Sequence, residues 1–578
     1  MKYEEITSQA TAEWADMTSG RVPLIRIGTA MCGHAAGAFR VVKALRKCLE
    51  SKGLEANIQE VGCLGLCYAE PLLDIKKEGK SRLFFNNVTP EEVEYIVDEY
   101  LLKEGYPKEK VFGYIGEEGP VSGEDSLEML PGLKLQNRIA LRNAGHTSPY
   151  DINQYIANGG YSGLYKALTE MSPSEVIDEV KNSGLRGRGG AAFPTGVKWS
   201  FLVGSPGPTK YILCNCEEGD PGAYNDKGIL ESDPHTLLEG LAIAGYATGA
   251  SNGIVFIRHG HDGPIERTEK AIEQAYDLGL IGNNILGTDF SFDIEVALTG
   301  ESYVAGEETA LMEAVEGKRA MPRFRPPFPA AFGVWGKPSN INNVKSLSYA
   351  PEIISKGADW FSSIGVNQST GTAIVCLSGD VNRPGLYEVP MGLTLGEVID
   401  DLGGGVTDNA QLKLLQTGGP LGGVLGPDSK DIHIDFDEMR SAGAIFGSGG
   451  IIVGSDKVCA VDLTRILVAF CQFESCGKCF PCRLGMEHLL EIVERISNCD
   501  SKPGDMDLMK SIGGTMEAGS LCGHGQLGFG PIRSAITHFE EDFRLHIEEN
   551  RCPTGSCDRS KIVPKNTRPY ATDHIAGE

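Results

Sequence analysis

The sequence lacks the features of a membrane, secreted, nucleic-acid-binding or collagen-like protein. No run approaches the roughly 20 apolar residues that a membrane-spanning helix needs. The first residues show neither a basic nor an apolar signal region, so no export signal is expected. Lys and Arg number 53 against 78 Asp and Glu, a net charge of −25 that disfavours phosphate binding along a nucleic acid. The 74 glycines follow no G-X-Y period. We therefore expect an acidic, globular, cytoplasmic protein.

Length and patterning predict an α/β multidomain chain, since 578 residues exceed what one hydrophobic core holds. Hydrophobic residues make up 41% and charged residues 23%, which argues against wholesale disorder. Alternation of apolar strands, helical periods and glycine-rich turns predicts six segments. These are an α/β unit over 1–105, a linker over 106–149, a glycine-rich α/β region over 150–350, a smaller β-rich unit over 351–455, a helical region over 456–548 and a tail over 549–578.

Cysteine provides the most specific chemical signal. Sixteen cysteines in a chain without a visible export signal indicate metal ligands rather than disulfides. The stretch ESCGKCFPCRLG contains C-x2-C-x2-C at Cys476, Cys479 and Cys482, and Cys522 follows in SLCGHG. Three thiolates on one loop and a fourth from another element are typical of a [4Fe-4S] cluster. Structural zinc sites more often pair their cysteines two and two, and chance burial of the cysteines is the remaining alternative.

A glycine-rich loop over 184–199, GLRGRGGAAFPTGVKW, is the second signal. Successive backbone N–H groups in such a loop bind anions. The loop fits neither the dinucleotide-binding fingerprint of a Rossmann fold nor a P-loop, and by itself it could be a surface loop. Three further stretches, over 211–227, 300–317 and 326–344, favour a ligand site.

In this order, the stretches resemble the flavin subunit of respiratory complex I and its relatives, over about residues 130–550. We place the sequence nearest to the beta subunits of multimeric NAD-dependent [FeFe]-hydrogenases and formate dehydrogenases. The resemblance implies a non-Rossmann α/β domain that binds FMN and NAD(H), a small β-grasp-like domain of the soluble-ligand-binding type, and a C-terminal helical bundle that holds the [4Fe-4S] cluster.

The resemblance also implies site residues. Positions that would hold FMN are Gly187, Arg188, Gly189, Gly190, Lys198, Asn215, Glu217, Glu218, Tyr303, Gly306, Glu307, Glu308, Asn342 and Asn343. Positions that would hold NADH are Phe193, Lys198, Phe201, Asp220, Glu308, Arg325 and Phe328, although core packing is the alternative for each phenylalanine. Hydride transfer needs oriented rings in a dry site, so no catalytic acid–base residue is expected.

Two departures from the family pattern and one specificity argument accompany this assignment. Arg325 stands where the family often has Lys, which keeps the charge, and Val344 where it often has Thr, which removes a hydroxyl. Acidic residues near the adenine ribose would disfavour a 2′-phosphate, so NAD is expected over NADP.

The N-terminal unit resembles a thioredoxin-like [2Fe-2S] ferredoxin domain with an incomplete ligand set. Cys63 and Cys67 form C-x3-C, but Ile27 stands where the first cysteine of an upstream C-x4-C would be, leaving Cys32 alone. Three thiolates do not satisfy the usual four-ligand requirement. A cluster here would need a non-cysteine ligand, for which His34 is a candidate, or the domain is an emptied docking surface.

A zinc site is predicted near the C-terminus. His546, Cys552 and Cys557 are zinc-compatible ligands, and Cys459 is a candidate fourth. The alternative is a set of reduced thiols without a metal. Hydrogenase-type relatives continue into a ferredoxin domain with two [4Fe-4S] clusters, which we expect to be missing here.

The functional expectation is a flavin subunit that oxidises NADH or reduces NAD and passes single electrons to the [4Fe-4S] cluster. Its partners would be a small [2Fe-2S] thioredoxin-like subunit and a catalytic [FeFe]-hydrogenase or formate dehydrogenase subunit in a hetero-oligomer. Flavin-based electron bifurcation between NADH and ferredoxin is the alternative enzyme activity. A non-catalytic scaffold is the alternative from another class.

Overall fold

A computed structural model of the chain describes residues 3–103, 105, 107–116 and 126–557. Within these ranges, no helix is both long and apolar enough to cross a membrane.

The N-terminal part contains a five-stranded mixed sheet. Its elements are α1 (Tyr3–Thr18), β1 (Leu24–Gly28), α2 (Met31–Ala36), α3 (Ala38–Lys52), β2 (Asn57–Val61), β3 (Leu73–Lys76), β4 (Arg82–Phe85), α4 (Val93–Val97) and β5 (Val111–Ile115). The strand order is β2-β1-β3-β4-β5, with β1 and β2 parallel and the other pairs antiparallel. A parallel β-α-β unit followed by an antiparallel hairpin agrees with the thioredoxin-like expectation.

Two segments differ from the expected division of the chain. Helix α1 packs against the middle part of the chain. The Tyr3 hydroxyl donates to the Gly160 carbonyl at 3.0 Å, and the Tyr3 ring stacks on Tyr165. The expected linker over 106–149 is in part a strand, since β5 pairs with β4. Its last part is held by Glu388, whose carboxylate accepts hydrogen bonds from successive backbone N–H groups over 139–141. Both segments carry apolar residues, and packing against the rest of the chain removes these residues from water.

The middle part is an α/β layer around a parallel sheet. Its elements are α5 (Pro131–Lys134), α6 (Ile152–Ala157), α7 (Ser162–Glu170), α8 (Pro173–Asn182), α9 (Thr195–Val203), β6 (Tyr211–Cys216), α10 (Asn225–Ser232), α11 (Pro234–Thr248), β7 (Asn252–Arg258), α12 (Asp262–Asp277), β8 (Asp293–Thr299), α13 (Glu308–Val315), β9 (Ser339–Asn343), α14 (Val344–Ser348), α15 (Ala350–Lys356) and α16 (Ala358–Ser362). The strand order is β8-β7-β6-β9 and all three pairs are parallel. Helix α11 is buried on nearly all sides, as a helix between two layers must be.

The third part is a small mixed sheet. Its elements are β10 (Gly365–Val366), β11 (Ser369–Thr370), β12 (Thr372–Gly379), β13 (Gly385–Pro390), α17 (Leu395–Glu397), β14 (Leu412–Thr417), β15 (Val424–Leu425), α18 (Phe436–Ser441) and β16 (Gly450–Ser455). The main sheet has the order β13-β12-β16-β14-β15. The unit was expected to begin at 351, but residues of α15 and α16, such as Ile353 and Phe361, are buried in the core of the middle layer.

The C-terminal part is helical, as predicted. Its helices are α19 (Ala460–Phe473), α20 (Phe480–Ser497), α21 (Asp505–Gly519), α22 (Gly523–Leu527), α23 (Gly530–His538) and α24 (Glu540–Glu548). Apolar residues of these helices form one core that also includes Cys459, Cys471 and Cys482.

Candidate functional site

A cavity of about 1090 Å³ lies over the parallel sheet and collects most of the predicted ligand-binding positions. Of these positions, the ones that line it are Gly187, Gly189, Phe193, Lys198, Phe201, Asn215, Gly306, Glu308, Arg325, Phe328, Asn342 and Asn343. Four stretches far apart in sequence therefore meet at one place. A cavity of this size holds a ligand of mononucleotide size or larger.

The strand order explains why the cavity is here. Strands β7 and β8 follow β6 on one side of the sheet, whereas β9 pairs with β6 on its other side. The carboxyl ends of β6 and β9 therefore lie at a topological switch point, where open parallel sheets leave a crevice for ligands. Asn215 near the end of β6 and Asn343 at the end of β9 both line the cavity. The Asn215 amide donates to the Gly306 carbonyl at 2.8 Å, which fixes the opposite wall.

Glycine backbone forms part of the lining, and this suits a flat ligand. A Cβ atom at Gly189 would lie 3.0 Å from the Asn343 side chain, and one at Gly306 would lie 3.0 Å from Glu217. Neither position therefore accepts a larger residue without displacing the neighbouring side chain. These bare stretches and the neighbouring amides fit the ring system and polar chain of FMN.

Aromatic rings and an ion-pair network surround the opening. Phe193, Phe201 and Phe328 are 44%, 55% and 59% exposed, respectively, so they are not core residues. Glu308 pairs with Arg325 at 2.5 Å and with Lys198 at 3.5 Å. Exposed rings beside charged groups are suited to stacking on a base and binding the polar part of a nucleotide.

Several predicted positions do not line this cavity. The guanidinium of Arg188 is buried and donates to the carbonyls of Arg186, Thr370 and Thr372, so it fastens the loop to the small sheet. Glu218 accepts hydrogen bonds from the Asp226 and Lys227 N–H groups in the first turn of α10.

The remaining predicted positions are also placed beside the cavity rather than in its wall. Gly190 adopts φ +115°, which favours glycine, and faces Gly447. Asp220 accepts a hydrogen bond from the Ser448 hydroxyl at 2.7 Å. The side chain of Val344 is buried in the core, so a hydroxyl there would not face the cavity.

Glu217 and Arg258 form a buried hydrogen-bonded pair behind the cavity wall. The Glu217 carboxyl group accepts from Arg258 Nη1 at 3.0 Å, and its side chain is almost fully buried. Burial raises the pKa of Glu217 to about 8 despite the opposing effect of Arg258.

A short segment, residues 303–308, joins the cavity to the cysteine-rich helices. Gly306 and Glu308 line the cavity, whereas the Tyr303 N–H donates to Glu474 at 3.0 Å. The Tyr303 ring contacts Phe470 and His524 with centroids 5.4 and 5.8 Å apart. Glu307 caps α13 by accepting from the N–H groups of Thr309 and Ala310.

The four cysteines predicted to hold a [4Fe-4S] cluster are brought together at helix N-termini. Cys479 is the N-cap of α20 and Cys522 the N-cap of α22, while Cys482 lies in the first turn of α20. Burial, together with the charges of Cys479, Cys522 and Cys476, raises the pKa of Cys482 to about 11. Gly525 lies against the Cβ of Cys482, so α22 approaches the cysteine loop closely. Four thiols clustered in this way match the donor set of a [4Fe-4S] cluster.

The cysteine group also lies close to the segment 303–308. Burial raises the pKa of Cys522, and the nearby charges of Glu307 and Cys476 also act to raise it. Lys478, between two of the cysteines, donates to the Pro322 carbonyl at 2.6 Å.

The predicted zinc ligands converge in the structure. Ligand atoms of Cys459, His546, Cys552 and Cys557 all lie within 4.8 Å of one another. The hydrogen bond from Cys557 lowers the pKa of Cys459 to about 5. Burial lowers the pKa of His546, but the hydrogen bonds to Cys459 and to the Asp542 backbone raise it to about 9. His546 Nδ1 lies 2.7 Å from the Asp542 carbonyl, which leaves Nε2 directed at the thiols. A Cys3His set of this kind fits zinc.

Cys32, Cys63 and Cys67 also form a compact group, with their sulfur atoms within 4.8 Å of one another. His34, the candidate fourth ligand, is not part of this group: it is exposed and its ring contacts Phe39 edge-on. The structure therefore does not bring His34 together with the three thiols.

The cavity also contains residues that sequence reasoning did not name. They include Thr195, Ser200, Pro329, Asn340, Ile341 and Ser346. Asn340 alternates with Asn342 along β9 and donates to the Lys198 carbonyl at 2.7 Å. Its position two residues before Asn342 on a strand is the signal that could have found it.

Comparison with known proteins agrees with this arrangement. Residues 180–352 match the Nuo51 FMN-binding domain, residues 462–546 the NADH-ubiquinone oxidoreductase-F iron-sulfur binding region, and residues 374–425 the SLBB domain. The chain is 46% identical over 424 residues to the NADP-reducing hydrogenase subunit HndC of Solidesulfovibrio fructosivorans, covering 73% of this chain and 86% of that protein. It is 41% identical over 415 residues to an NADH-quinone oxidoreductase subunit of Rhizobium meliloti, covering 72% and 99%.

A solved structure shows a similar fold. A chain of an NAD+-reducing [NiFe]-hydrogenase in the H2-reduced state superposes with a TM-score of 0.64 at 24% identity, covering 94% of this chain and 91% of that one.

These matches define a flavoprotein with an iron–sulfur region, and the chain belongs to the family of FMN- and NADH-binding subunits found in NADH-quinone oxidoreductases. The expectations of an FMN-binding domain, a [4Fe-4S] region and a diaphorase-type oxidoreductase subunit are confirmed. The β-grasp-like unit is confirmed by the SLBB match.

Proposed function

We propose that the chain oxidises NADH, or reduces NAD, at the cavity and delivers single electrons through the cysteines of the helical region to a partner subunit. The observation that carries this proposal is the segment 303–308, which contributes Gly306 and Glu308 to the cavity and contacts Glu474 and His524 beside the cysteine loop. The two sites therefore share a short piece of backbone.

FMN, when bound, supplies the conversion between two-electron and one-electron transfer. The protein's own residues hold and orient the reactants. Asn215 fixes the wall at Gly306, and the exposed rings of Phe193, Phe201 and Phe328 are placed to stack on the nucleotide. The apolar residues over 326–331 line the same cavity and reduce the access of water.

NADH is the proposed substrate rather than NADPH. Lys198 and Arg325 already pair with the carboxylates of Glu308 and Glu307, so neither cation is left free to bind a 2′-phosphate. The HndC relative is named for NADP reduction, so both nucleotides belong in the assay.

The proposed setting is a cytoplasmic hetero-oligomer. The relatives carry names of hydrogenase and quinone oxidoreductase subunits, which supports an assembly of several subunits. By the sequence resemblance, the partners would be a small [2Fe-2S] thioredoxin-like subunit and a catalytic hydrogenase or formate dehydrogenase subunit. Electron bifurcation has no specific contact in its favour, and the FMN-binding match argues against a scaffold without activity.

The test is a Cys479→Ala variant in the complex purified without oxygen. We expect dye reduction by NADH to remain near the wild-type rate, because the dye takes electrons at the cavity. Hydrogen or formate turnover by the partner should fall at least about 100-fold, because the cluster has lost a ligand. NADPH should support dye reduction at a lower kcat/KM than NADH.

A Cys48→Ala variant, changed on α3 outside both sites, is the control and should behave as wild type. Partner reduction at the wild-type rate by Cys479→Ala would remove the cluster from the electron path. A chain that reduces no dye and binds no flavin would contradict the proposed activity itself.

A further inference from the structure

The three N-terminal thiols are arranged around one point rather than in two pairs. The sulfur atoms of Cys32, Cys63 and Cys67 all lie within 4.8 Å of one another. Tetrahedral thiolates around one zinc ion, with Zn–S near 2.3 Å, are about 3.8 Å apart. A [2Fe-2S] cluster instead needs two ligands on each of two irons. The compact group therefore does not fit the two-iron cluster that the thioredoxin-like fold suggests.

A buried carboxylate lies beside one thiol of the group, outside the three atoms that are all within 4.8 Å of one another. Oε1 of Glu70 lies 3.9 Å from Cys32 Sγ, and the residue is 6% exposed. Gly28 and Gly33 make room for it, because a Cβ atom at either position would approach the carboxylate to 2.7 or 3.3 Å. Ile27, at the position of the absent cysteine, is buried in the apolar core of the unit.

The surroundings are those of an anionic site. The Gly65 N–H donates to Cys63 Sγ at 3.2 Å, and the Leu72 N–H donates to Glu70 Oε2 at 2.8 Å. Arg138 lies close enough to interact with the charge of Cys63, and its Nε is buried without a hydrogen-bond partner in the described part of the chain. Burying several anionic ligands together is costly unless a cation binds them.

We propose that Cys32, Cys63, Cys67 and Glu70 bind one divalent zinc-type cation. Binding displaces the protons of the three thiols, and the bound site carries a formal charge of −2 beside Arg138. Zinc has no accessible redox change, so this site transfers no electrons.

The proposed role of this cation is to fix the N-terminal unit on the rest of the protein. The loop with Cys63 and Cys67 contacts two other parts: Gly62 approaches Ser232 at the end of α10, and Gly65 approaches the Leu386 carbonyl on β13. The Met31 N–H, next to Cys32, donates to Glu231 of α10 at 2.9 Å. One cation therefore ties together two segments that both touch the middle layer.

The test counts metals per chain in the full-length protein purified without oxygen. We expect Cys63→Ser to lose one zinc per chain and no iron relative to wild type. Glu70→Gln should bind zinc at least about tenfold more weakly in competition with a chelator, because a charged ligand becomes neutral. Glu60→Gln, a carboxyl change on β2 of the same sheet, and Cys48→Ala are the matched controls and should retain the wild-type zinc content.

A second variant leaves the N-terminal unit intact, in case the first ones do not fold. In a chain with Cys459→Ser and His546→Ala, one zinc per chain should remain. A loss of two irons in Cys63→Ser, or an absence of zinc from the double variant, would overturn the proposal. Dye reduction by NADH, measured on the same samples, reports separately on the flavin site.

Discussion

At the scale of single residues, the protonation of Glu217 beside the cavity is coupled to folding. Its carboxyl is buried beside Arg258, with Asp220 and Glu474 nearby, and burial raises its pKa from 4.5 to about 8. Between these values the folded chain keeps a proton that the unfolded chain has released. The stability contributed by this group is therefore full below pH 4.5 and is lost as the pH rises to about 8.

Glu217→Gln should flatten this dependence. In wild type the group lowers the free energy of unfolding by about 1.4 kcal/mol for each pH unit between the two pKa values, and glutamine cannot titrate. The measurement is urea unfolding from pH 5.5 to 7.5 at constant FMN concentration. Glu273→Gln, an exposed change on α12, is the control. Equal slopes for wild type and Glu217→Gln would contradict the assigned pKa.

Sequence reasoning at this scale succeeded where the chemistry requires a spacing. The Cys476, Cys479 and Cys482 spacing identifies three thiols that can meet on one loop. The family resemblance implied a cavity position for Arg188, but its guanidinium instead donates to carbonyls of the small sheet. Glu70 has no motif at all, since its neighbour Cys32 is distant in sequence and the approach depends on how the sheet folds.

At the scale of elements, Glu388 on β13 joins the small sheet to the segment before α6. It is fully buried and accepts from the N–H groups of Ile139, Ala140 and Leu141 and from the Thr372 hydroxyl. Because one carboxylate satisfies several buried donors, its removal leaves all of them weakened together.

Glu388→Gln should lower the free energy of unfolding by about 2–4 kcal/mol, since an amide replaces a charged acceptor and presents an N–H group to other donors. Differential scanning calorimetry of wild type, Glu388→Gln and the exposed change Asp428→Asn provides the comparison. A melting temperature for Glu388→Gln equal to that of wild type would show that the segment is held by other contacts.

The periodicity of elements was easier to predict than their docking. Gly53 follows the last residue of α3, and its left-handed φ of 62° favours glycine at a helix C-terminus. The position of α1 on the middle layer was not predictable, because it depends on a tyrosine stack with Tyr165 across the chain. The expected linker was inferred from glycine and proline content, which does not show that its ends pair with β4 and Glu388.

At the scale of the whole molecule, the proposed C-terminal zinc site joins three parts of the helical region. Cys459 precedes α19, His546 belongs to α24, and Cys557 lies beyond it and also accepts a hydrogen bond from Ser497 of α20. A bound cation would hold the end of the described chain against α19 and α24.

Cys459→Ser should therefore remove one zinc per chain and lower the melting temperature of the helical region, while the four irons of the cluster remain. Metal analysis and circular dichroism on the same sample check both outcomes. Cys48→Ala again serves as the control. Unchanged zinc content would favour the alternative of reduced thiols without a metal.

The segment 303–308 has a consequence for how the protein tolerates change. Tyr303 is anchored on the helical region and Gly306 on the strand β6, only three positions further on. An inserted or deleted residue between these two anchors would shift both centres in a single event, with no loop to absorb the displacement. The number of residues in this stretch is therefore under a stricter constraint than the identity of any one side chain in it.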